Sequence, residues 1–251
     1  MAPSFQDHFS GHSGSYAHYR PGYPAALFDY LADQAPSRVL AWDCATGSGQ
    51  AACELAKRFH SVIASDASQA QIDAARLCPG VIYRQALAEQ SGLESASVDL
   101  VTVAQALHWF DLDNFYREVK RVLRPNGLLA VWSYNLLRIE PAIDRLIDRF
   151  YGETLADYWP PERKRVERGY QDLPFPFSPA VDPPGFNMTA QWSLPQLLGY
   201  LGTWSATARF REATGQDPLP PLAEQLLPAW GTPETERRVS WPLSLRVGHA
   251  G

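Results

Sequence analysis

The stretch VLAWDCATGSGQAACELAKRF, residues 39–59, decides how the chain is predicted to fold. An apolar run ends at Asp43, Gly47 and Gly49 follow, and apolar residues then recur at helical spacing. Glycines between a strand and a helix let backbone N–H groups come close to a ligand, because no Cβ intervenes. The stretch therefore predicts a strand, a ligand-binding turn and a helix.

The alternation of strand and helix continues from this stretch to residue 132. Strands are predicted over residues 38–42, 61–65, 81–84, 98–104 and 128–132, and helices over 25–35, 49–59, 68–77 and 113–123. Continuous apolar strands separated by helices are typical of a parallel sheet that helices cover on both faces. We therefore predict an α/β fold.

The composition changes after residue 135 and divides the chain into four predicted segments. Residues 1–24 form an N-terminal arm, and residues 25–135 form the core. Residues 136–186 are rich in aromatic residues and proline, which predicts an insertion that covers the sheet as a lid. Residues 187–251 are predicted to return to the core with two antiparallel strands, 187–192 and 237–247, and a helical excursion between them.

The overall composition is typical of a globular protein, and its charge favours a small or apolar partner. The chain has 251 residues, of which 45% are hydrophobic, and its net charge is −5. Nucleic-acid binding needs clustered Lys and Arg, so the acidic balance argues against it. No apolar run reaches ~18 residues, and the first residues lack a basic-then-apolar signal pattern. We therefore expect neither membrane insertion nor secretion by that route.

The cysteines and the N-terminal histidines give no metal-binding pattern. Cys44, Cys53 and Cys78 are odd in number and lack metal-ligand spacing, which predicts reduced thiols in a cytoplasmic protein. The histidines of the arm have no carboxylate or cysteine at ligand spacing, so no metal site is expected there: His8, His12 and His18.

Two acids indicate which ligand the turn binds. Asp66 ends the second predicted strand, where α/β nucleotide sites keep an acid for ribose hydroxyls. The pattern Gly47-x-Gly49-x-x-Ala52 also fits a dinucleotide, so a nicotinamide or flavin cofactor stays possible on the glycines alone. Asp43 would repel a pyrophosphate and attract an ammonium or sulfonium group. This charge favours S-adenosylmethionine.

Five motifs in order resemble those of class I S-adenosylmethionine-dependent methyltransferases, in the branch of trans-aconitate-type small-molecule enzymes. They are WDCATGSG (42–49), SDAS (65–68), LAEQSGL (87–93), VDLVTVAQALHWFD (98–111) and VLRPNGLLAVW (122–132). The resemblance implies a Rossmann-like, seven-stranded and mostly parallel sheet with a last antiparallel hairpin and helical lid insertions. Ala45 is also expected to line the donor site, although it departs from the family pattern, which usually has glycine at that position.

The resemblance also implies which residues bind the donor. Gly47 and Gly49 are expected to line its methionine moiety and ribose, Asp66 to hold the ribose hydroxyls, and Gln105 to lie near the methyl group. Three further residues are expected to flank the adenine: Ala67, Leu87 and Ala88. In the family a Tyr-Arg-Pro arm closes over the donor, which implies this role for Tyr16, Tyr19 and Arg20.

The methyl acceptor is expected at the carboxyl edge of the fourth strand. His108 follows that strand and could act as a general base or orient an acceptor oxygen, with Trp109 packed against the donor. Aromatic residues of the lid could line an apolar pocket, and its basic residues could receive an acidic acceptor: Tyr151, Tyr158, Trp159, Phe175, Arg163, Lys164 and Arg165. Trp204 and Ser205 are further candidates by resemblance.

The predicted function is methyl transfer to a small molecule, with a carboxylate oxygen as the first expectation for the acceptor. Three alternatives remain. They are a methyltransferase for protein or RNA, a non-catalytic adenosyl-binding module, and a dinucleotide-dependent oxidoreductase. The absence of a basic groove disfavours RNA, and Asp43 disfavours a dinucleotide.

Overall fold

The computed structural model describes residues 21–179 and 183–250. Its strands are β1 (Leu40–Cys44), β2 (Ser61–Asp66), β3 (Val81–Gln85), β4 (Val98–Ala104), β5 (Leu123–Tyr134), β6 (Ser178–Pro179), β7 (Asn187–Trp192) and β8 (Arg237–His249). Its helices are α1 (Ala25–Gln34), α2 (Gln50–Leu55), α3 (Gln69–Ala74), α4 (Leu112–Val122), α5 (Pro141–Arg149), α6 (Arg163–Glu167), α7 (Leu194–Gly202), α8 (Ser205–Thr214) and α9 (Leu219–Trp230).

The strand order places the ends of β1 and β4 side by side. The order is β3-β2-β1-β4-β5-β8-β6, with β7 paired to β8. Strands β1 to β5 are parallel, whereas β8 runs antiparallel to β5 and β7. The chain leaves β1 towards β3 and then returns to the other side of β1, so the strand order reverses there. In open α/β sheets such a reversal opens a ligand crevice at the carboxyl ends of the strands.

The strands of the sheet are buried on both sides because helices cover both of its faces. One face packs Leu27 and Phe28 of α1 against Trp132, and the other packs Phe115 and Val119 of α4 against the sheet. The predicted Rossmann-like α/β fold with a late antiparallel pairing is therefore confirmed. The sheet has eight strands in the described part of the chain where seven were expected, since the two-residue β6 adds to its edge.

A third apolar cluster joins the late helices to the end of the sheet. Helices α7, α8 and α9 lie between β7 and β8, and α9 contacts α5 and α7. Trp230 of α9 and Trp241 of β8 are buried in this cluster, and the indole Nε1 of Trp241 donates to the hydroxyl of Tyr200 at 3.2 Å. These elements form a helical layer that the parallel strands alone would not produce.

Several element boundaries differ from the predicted ones. Strand β1 begins at Leu40, two residues later than predicted, and the backbone N–H groups of Val39 and Leu40 both donate to the buried carboxylate of Asp99 at 2.9 Å. Helix α2 ends at Leu55, four residues early. Strand β5 begins at Leu123, since that residue already pairs with Val98.

The expectation of reduced thiols is wrong for two of the three cysteines. Cys53 of α2 and Cys78 form a disulfide with their Cα atoms 5.6 Å apart, whereas Cys44 is a buried free thiol. Tertiary packing brings the pair together across 25 residues of sequence, which no spacing pattern indicated. The cysteines therefore no longer support a cytoplasmic location.

In the two described ranges, no helix has both the length and the apolarity needed to span a bilayer.

Candidate active site

Asp43 is the buried acid at the point where the strand order reverses. It lies at the end of β1 with 1% of its surface exposed, and its carboxylate accepts the hydroxyls of Thr46 at 2.5 Å and Thr102 at 2.7 Å. Burial raises its pKa to about 6 against the lowering effect of these hydroxyls, and the charge of Asp66 adds to the rise. A cationic ligand nearby would relieve the cost of burying this charge.

The turn after β1 is held open in left-handed backbone conformations. Gly47 has φ +52° and Gly49 has φ +79°, and helix α2 begins directly after Gly49. A Cβ on Gly49 would lie 2.8 Å from the hydroxyl oxygen of Tyr83, whereas a Cβ on Gly47 would meet nothing closer than 4.0 Å. The turn therefore leaves open space beside Gly47 and none beside Gly49.

Ala45 shows why glycine suits its position. Its φ is +55°, in the left-handed region that residues with a Cβ rarely adopt. The departure from the family pattern therefore costs backbone strain.

Asp66 connects the second strand to the turn. Its Oδ2 accepts the backbone N–H of Gly47 at 3.0 Å, and its Oδ1 accepts that of Ser68 at 3.0 Å. The next residue, Ala67, is half-buried, and its carbonyl accepts the side-chain amide of Gln85 at 2.8 Å. The two acids predicted for the donor thus lie at the ends of adjacent strands, at one edge of the sheet.

The other residues predicted for the donor follow β3 and β4. Leu87 is 47% exposed and Ala88 is buried, in the tight turn after β3. Gln105 directly follows β4 with φ +59°, and its side-chain amide donates to the carbonyl of Tyr134 at 2.9 Å. Because this bond ties Gln105 to the end of β5, its side chain spans the ends of two neighbouring strands.

His108 lies in a short 3-10 helix after β4 and contacts a tyrosine far along the chain. Its Nδ1 lies 2.8 Å from the hydroxyl oxygen of Tyr170, and its carbonyl accepts from Arg165 at 3.1 Å. Burial, followed by the charges of Arg163 and Arg165, lowers the pKa of His108 to about 3. The imidazole is therefore neutral across the physiological range.

Arg163 of α6 lies among aromatic rings at the end of β5. Its Nη2 donates to Oδ1 of Asn135 at 2.7 Å and its Nε to the hydroxyl of Tyr151 at 2.9 Å. Its guanidinium carbon is 5.5 Å from the ring centroid of Tyr151 and 5.1 Å from that of Trp159. Within residues 21–179 and 183–250, no carboxylate forms an ion pair with Arg163, although arginine is charged at all relevant pH values.

Of the remaining acceptor candidates, only some lie in the cluster of aromatic rings around Arg163. The ring of Trp204 lies 5.5 Å from that of Trp159 and 5.9 Å from that of Tyr151, so it joins the Arg163 cluster. Tyr158 packs on Phe210 instead. Trp109 is 37% exposed beside His108.

Other residues named from the sequence lie elsewhere. Phe175 packs against Tyr116 and Phe177, while Lys164 and Ser205 are exposed. Several predictions fall outside the described residues: Tyr16, Tyr19, Arg20 and the three histidines of the arm.

The polar residues that hydrogen-bond to Asp43, His108 and Arg163 were not predicted from the sequence. Thr102 interrupts an apolar strand, and this polar residue in a buried run was the available signal for a bond to Asp43. Tyr170 and Asn135 carry no such signal, because each lies in irregular chain and reaches its partner only through folding.

Backbone strain also concentrates at this edge of the sheet. Ala45, Gln105 and Tyr170 have φ values of +55°, +59° and +60°. The other non-glycine residues with positive φ in the described part, Ala96 and Asn126, lie near the opposite ends of the strands. Strained conformations persist where surrounding contacts enforce them, and they cluster at functional sites.

Comparisons with known proteins agree with this geometry. The model of a methyltransferase domain family matches residues 42–131. A Dictyostelium discoideum protein named as a methyltransferase is 40% identical over 239 residues, which cover 94% of this chain and 90% of that one. A Saccharomyces cerevisiae protein named as an S-adenosylmethionine-dependent methyltransferase is 30% identical over 131 residues, or 49% of this chain and 45% of that one.

A solved structure extends the likeness to the whole fold. The protein, named as a type II methyltransferase from Anaeromyxobacter dehalogenans, superposes with a TM-score of 0.88 at 48% identity. The match covers 92% of this chain and 98% of that one. The chain therefore belongs to the class I S-adenosylmethionine-dependent methyltransferases.

Proposed function

We propose that this methyltransferase acts on a small molecule and that the accepting atom is an anionic oxygen, with a carboxylate as the first candidate. The observation that carries the proposal is Arg163, a half-buried cation at the carboxyl edge of the sheet whose described partners are the neutral groups of Asn135 and Tyr151. A guanidinium that forms no direct ion pair among the described residues and lies among aromatic rings favours an anion, because a guanidinium forms paired hydrogen bonds with a carboxylate.

The turn after β1 fits a cationic adenosyl ligand. The space beside Gly47 is open, and Asp43 lies behind the turn as a buried acid whose charge a cation would stabilise. We assign ribose binding to Asp66, the adenine side to Ala67, Leu87 and Ala88, and the neighbourhood of the methyl group to Gln105. Closure by Tyr19 and Arg20 belongs to the same proposal and rests on the sequence alone.

The chemistry needs alignment more than proton transfer. Bound S-adenosylmethionine supplies a methyl group on a sulfonium, and its transfer to an oxygen leaves S-adenosylhomocysteine. A carboxylate is already ionised at neutral pH, so no base has to remove a proton. The residues around the site would orient the two reactants and exclude water, which can provide most of the rate acceleration.

The late part of the chain would supply the acceptor pocket. Tyr151, Trp159 and Trp204 form an aromatic wall around Arg163, and all of them belong to segments inserted after β5. We propose that residues 136–186 act as the lid of the site and that Trp109 and Tyr158 contribute to the acceptor side. A helical layer of this size can enclose a small molecule on an otherwise open sheet edge.

The test is a methyl-donor assay read by mass, with small carboxylic acids each paired with the corresponding amide, and with phenols and amines. We expect acids to be methylated and their amides to be inert. The variant Arg163→Met should raise KM for the best acid by at least about tenfold, the scale of a lost charge-assisted pair, with S-adenosylhomocysteine affinity unchanged.

The neighbouring exposed cation provides the matched control, since Lys164→Met removes the same charge from the same helix. It should leave KM within about twofold of the native value, because exposed charges contribute little. A preference for neutral acceptors, or an equal effect of the two variants, contradicts the proposal.

A further inference from the structure

The pair formed by His108 and Tyr170 has a defined direction of hydrogen bonding. The side chain of Tyr170 is fully buried, and its hydroxyl oxygen has one recorded hydrogen-bonding partner in the described part of the chain, Nδ1 of His108. A phenol carries one proton, and a buried donor without an acceptor is costly. The hydroxyl of Tyr170 therefore donates to Nδ1, and the imidazole of His108 carries its own proton on Nε2.

The charges around the pair favour the same arrangement. The cations that face His108 are Arg163 and Arg165, both from α6, and no carboxylate is recorded as a partner of its ring among the described residues. Burial raises the pKa of Tyr170, so its hydroxyl keeps its proton. An imidazolium beside two guanidinium groups is disfavoured, so His108 is poorly placed to accept a proton.

The backbone holds Tyr170 in this position against its own preference. Both Gly169 and Tyr170 have positive φ, +58° and +60°, and a Cβ on Gly169 would lie 2.6 Å from Oγ of Ser244. The backbone N–H of Tyr170 donates to the carbonyl of Arg165 at 2.9 Å, and its carbonyl accepts from Arg246. A bulky residue in the left-handed region is a true outlier, and such strain persists where contacts on both sides enforce it.

We propose that Tyr170 is a positioning residue that fixes His108 as a neutral hydrogen-bond donor, through Nε2–H, for the oxygen of the methyl acceptor. His108 would then hold the acceptor oxygen together with Arg163, and would not act as a base. The expected effect on turnover rests on the proposed function, whereas the expected tautomer of His108 does not.

The first experiment reads the tautomer directly by ¹⁵N NMR of histidine-labelled full-length protein, with the His108 signals assigned by their loss in His108→Gln. We expect a protonated Nε2 and an unprotonated Nδ1 at pH 7 and at pH 5. In Tyr170→Phe both tautomers should appear, because the ring keeps its shape while the donor to Nδ1 is gone. A native Nδ1 that carries the proton, or an unchanged tautomer in Tyr170→Phe, overturns the proposal.

The second experiment measures turnover on the best acid of the panel. Tyr170→Phe should lower kcat by about tenfold with S-adenosylhomocysteine affinity unchanged, the effect of a lost orienting contact. His108→Gln, whose amide nitrogen can replace Nε2–H, should keep at least about tenfold more activity than His108→Asn, whose shorter amide cannot. Equal activity of the two variants contradicts a donor at Nε2.

A second buried tyrosine provides the control that separates a positioning role of Tyr170 from a general effect on stability. Tyr116 is 4% exposed, and its hydroxyl donates to the carbonyl of Pro174 at 2.7 Å, so Tyr116→Phe removes a comparable buried bond away from His108. It should lower stability as much as Tyr170→Phe does and leave kcat unchanged. A similar loss of kcat in both variants means that Tyr170 acts only through stability. If no acceptor in the panel is methylated, the proposed function fails while the tautomer result still stands.

Discussion

The backbone N–H of Gly47 donates a 3.0 Å hydrogen bond to Oδ2 of Asp66, and this bond joins the turn after the first strand to the end of the second. The acid proposed for the ribose therefore also holds the glycine turn in place. Loss of the carboxylate should affect both functions together, and the first prediction follows from this relationship.

Asp66→Ala is expected to weaken S-adenosylhomocysteine binding by about 2–3 kcal/mol, the scale of lost charge-assisted hydrogen bonds. Isothermal calorimetry measures this change. Asp73→Ala removes an exposed acid of the following helix, which bonds Gln69, and should change affinity by less than about 0.5 kcal/mol. An unchanged affinity in folded Asp66→Ala would remove this residue from the donor site.

Asp43 should make the stability of the ligand-free protein depend on pH. Its pKa is raised from 3.8 to about 6, so the folded state keeps the proton that the unfolded chain has already lost. The stabilisation that this retained proton provides is fully present below about pH 4 and is lost as pH rises through 6. Between pH 4 and pH 7 this carboxyl should lower the free energy of unfolding by about 2 kcal/mol.

Urea unfolding of the native protein and of Asp43→Asn at both pH values isolates this effect. The altered bonds to Thr46 and Thr102 should change the free energy of unfolding of the variant by the same amount at both pH values. The variant should, however, lack the loss of stability between pH 4 and pH 7. If both proteins change equally between pH 4 and pH 7, Asp43 does not titrate in this range.

The two glycines of the turn should respond differently to a methyl group. Gly47→Ala has open space and should cost about 1–2 kcal/mol from its left-handed backbone alone. Gly49→Ala adds a contact with the hydroxyl of Tyr83 and should cost at least about 1 kcal/mol more. Thermal or urea unfolding measures both variants.

Removal of that hydroxyl tests the cause of the difference. In a Tyr83→Phe background the extra cost of Gly49→Ala should fall, while the cost of Gly47→Ala should stay the same. An extra cost that persists in this background means that the space beside Gly49 is limited by other atoms.

The Cys53–Cys78 disulfide should stabilise the fold by about 3.5 kcal/mol, since it closes a loop with a sequence separation of 25 residues. A mild phosphine reductant and the double variant Cys53→Ser/Cys78→Ser should lower the urea midpoint to the same extent. Cys44→Ala, which removes the free thiol, should not abolish the effect of the reductant. Three free thiols by mass in the untreated protein would contradict the bond.

The sequence was sufficient for the sheet and for placing the residues proposed to bind the donor at one edge of it. Strand boundaries in the core were predicted to within about two residues except at β5, because buried parallel strands appear as continuous apolar runs. The length of helix α2 was overestimated, since its apolar spacing continues into a turn at residues 56–58. Asp43, Gly47 and Asp66 could be placed close together because each lies at the end of a strand or in the turn that follows it.

Only the tertiary structure decided which groups surround the residues proposed for the acceptor. His108 and Tyr170 are 62 residues apart, and Arg163 meets Asn135 across 28 residues, so neither contact leaves a local pattern in the sequence. The disulfide and the left-handed φ of Ala45 and Gln105 were hidden for the same reason. Local composition determines strands, helices and turns, whereas the charge and tautomer of a buried side chain depend on whichever distant groups the packing brings against it.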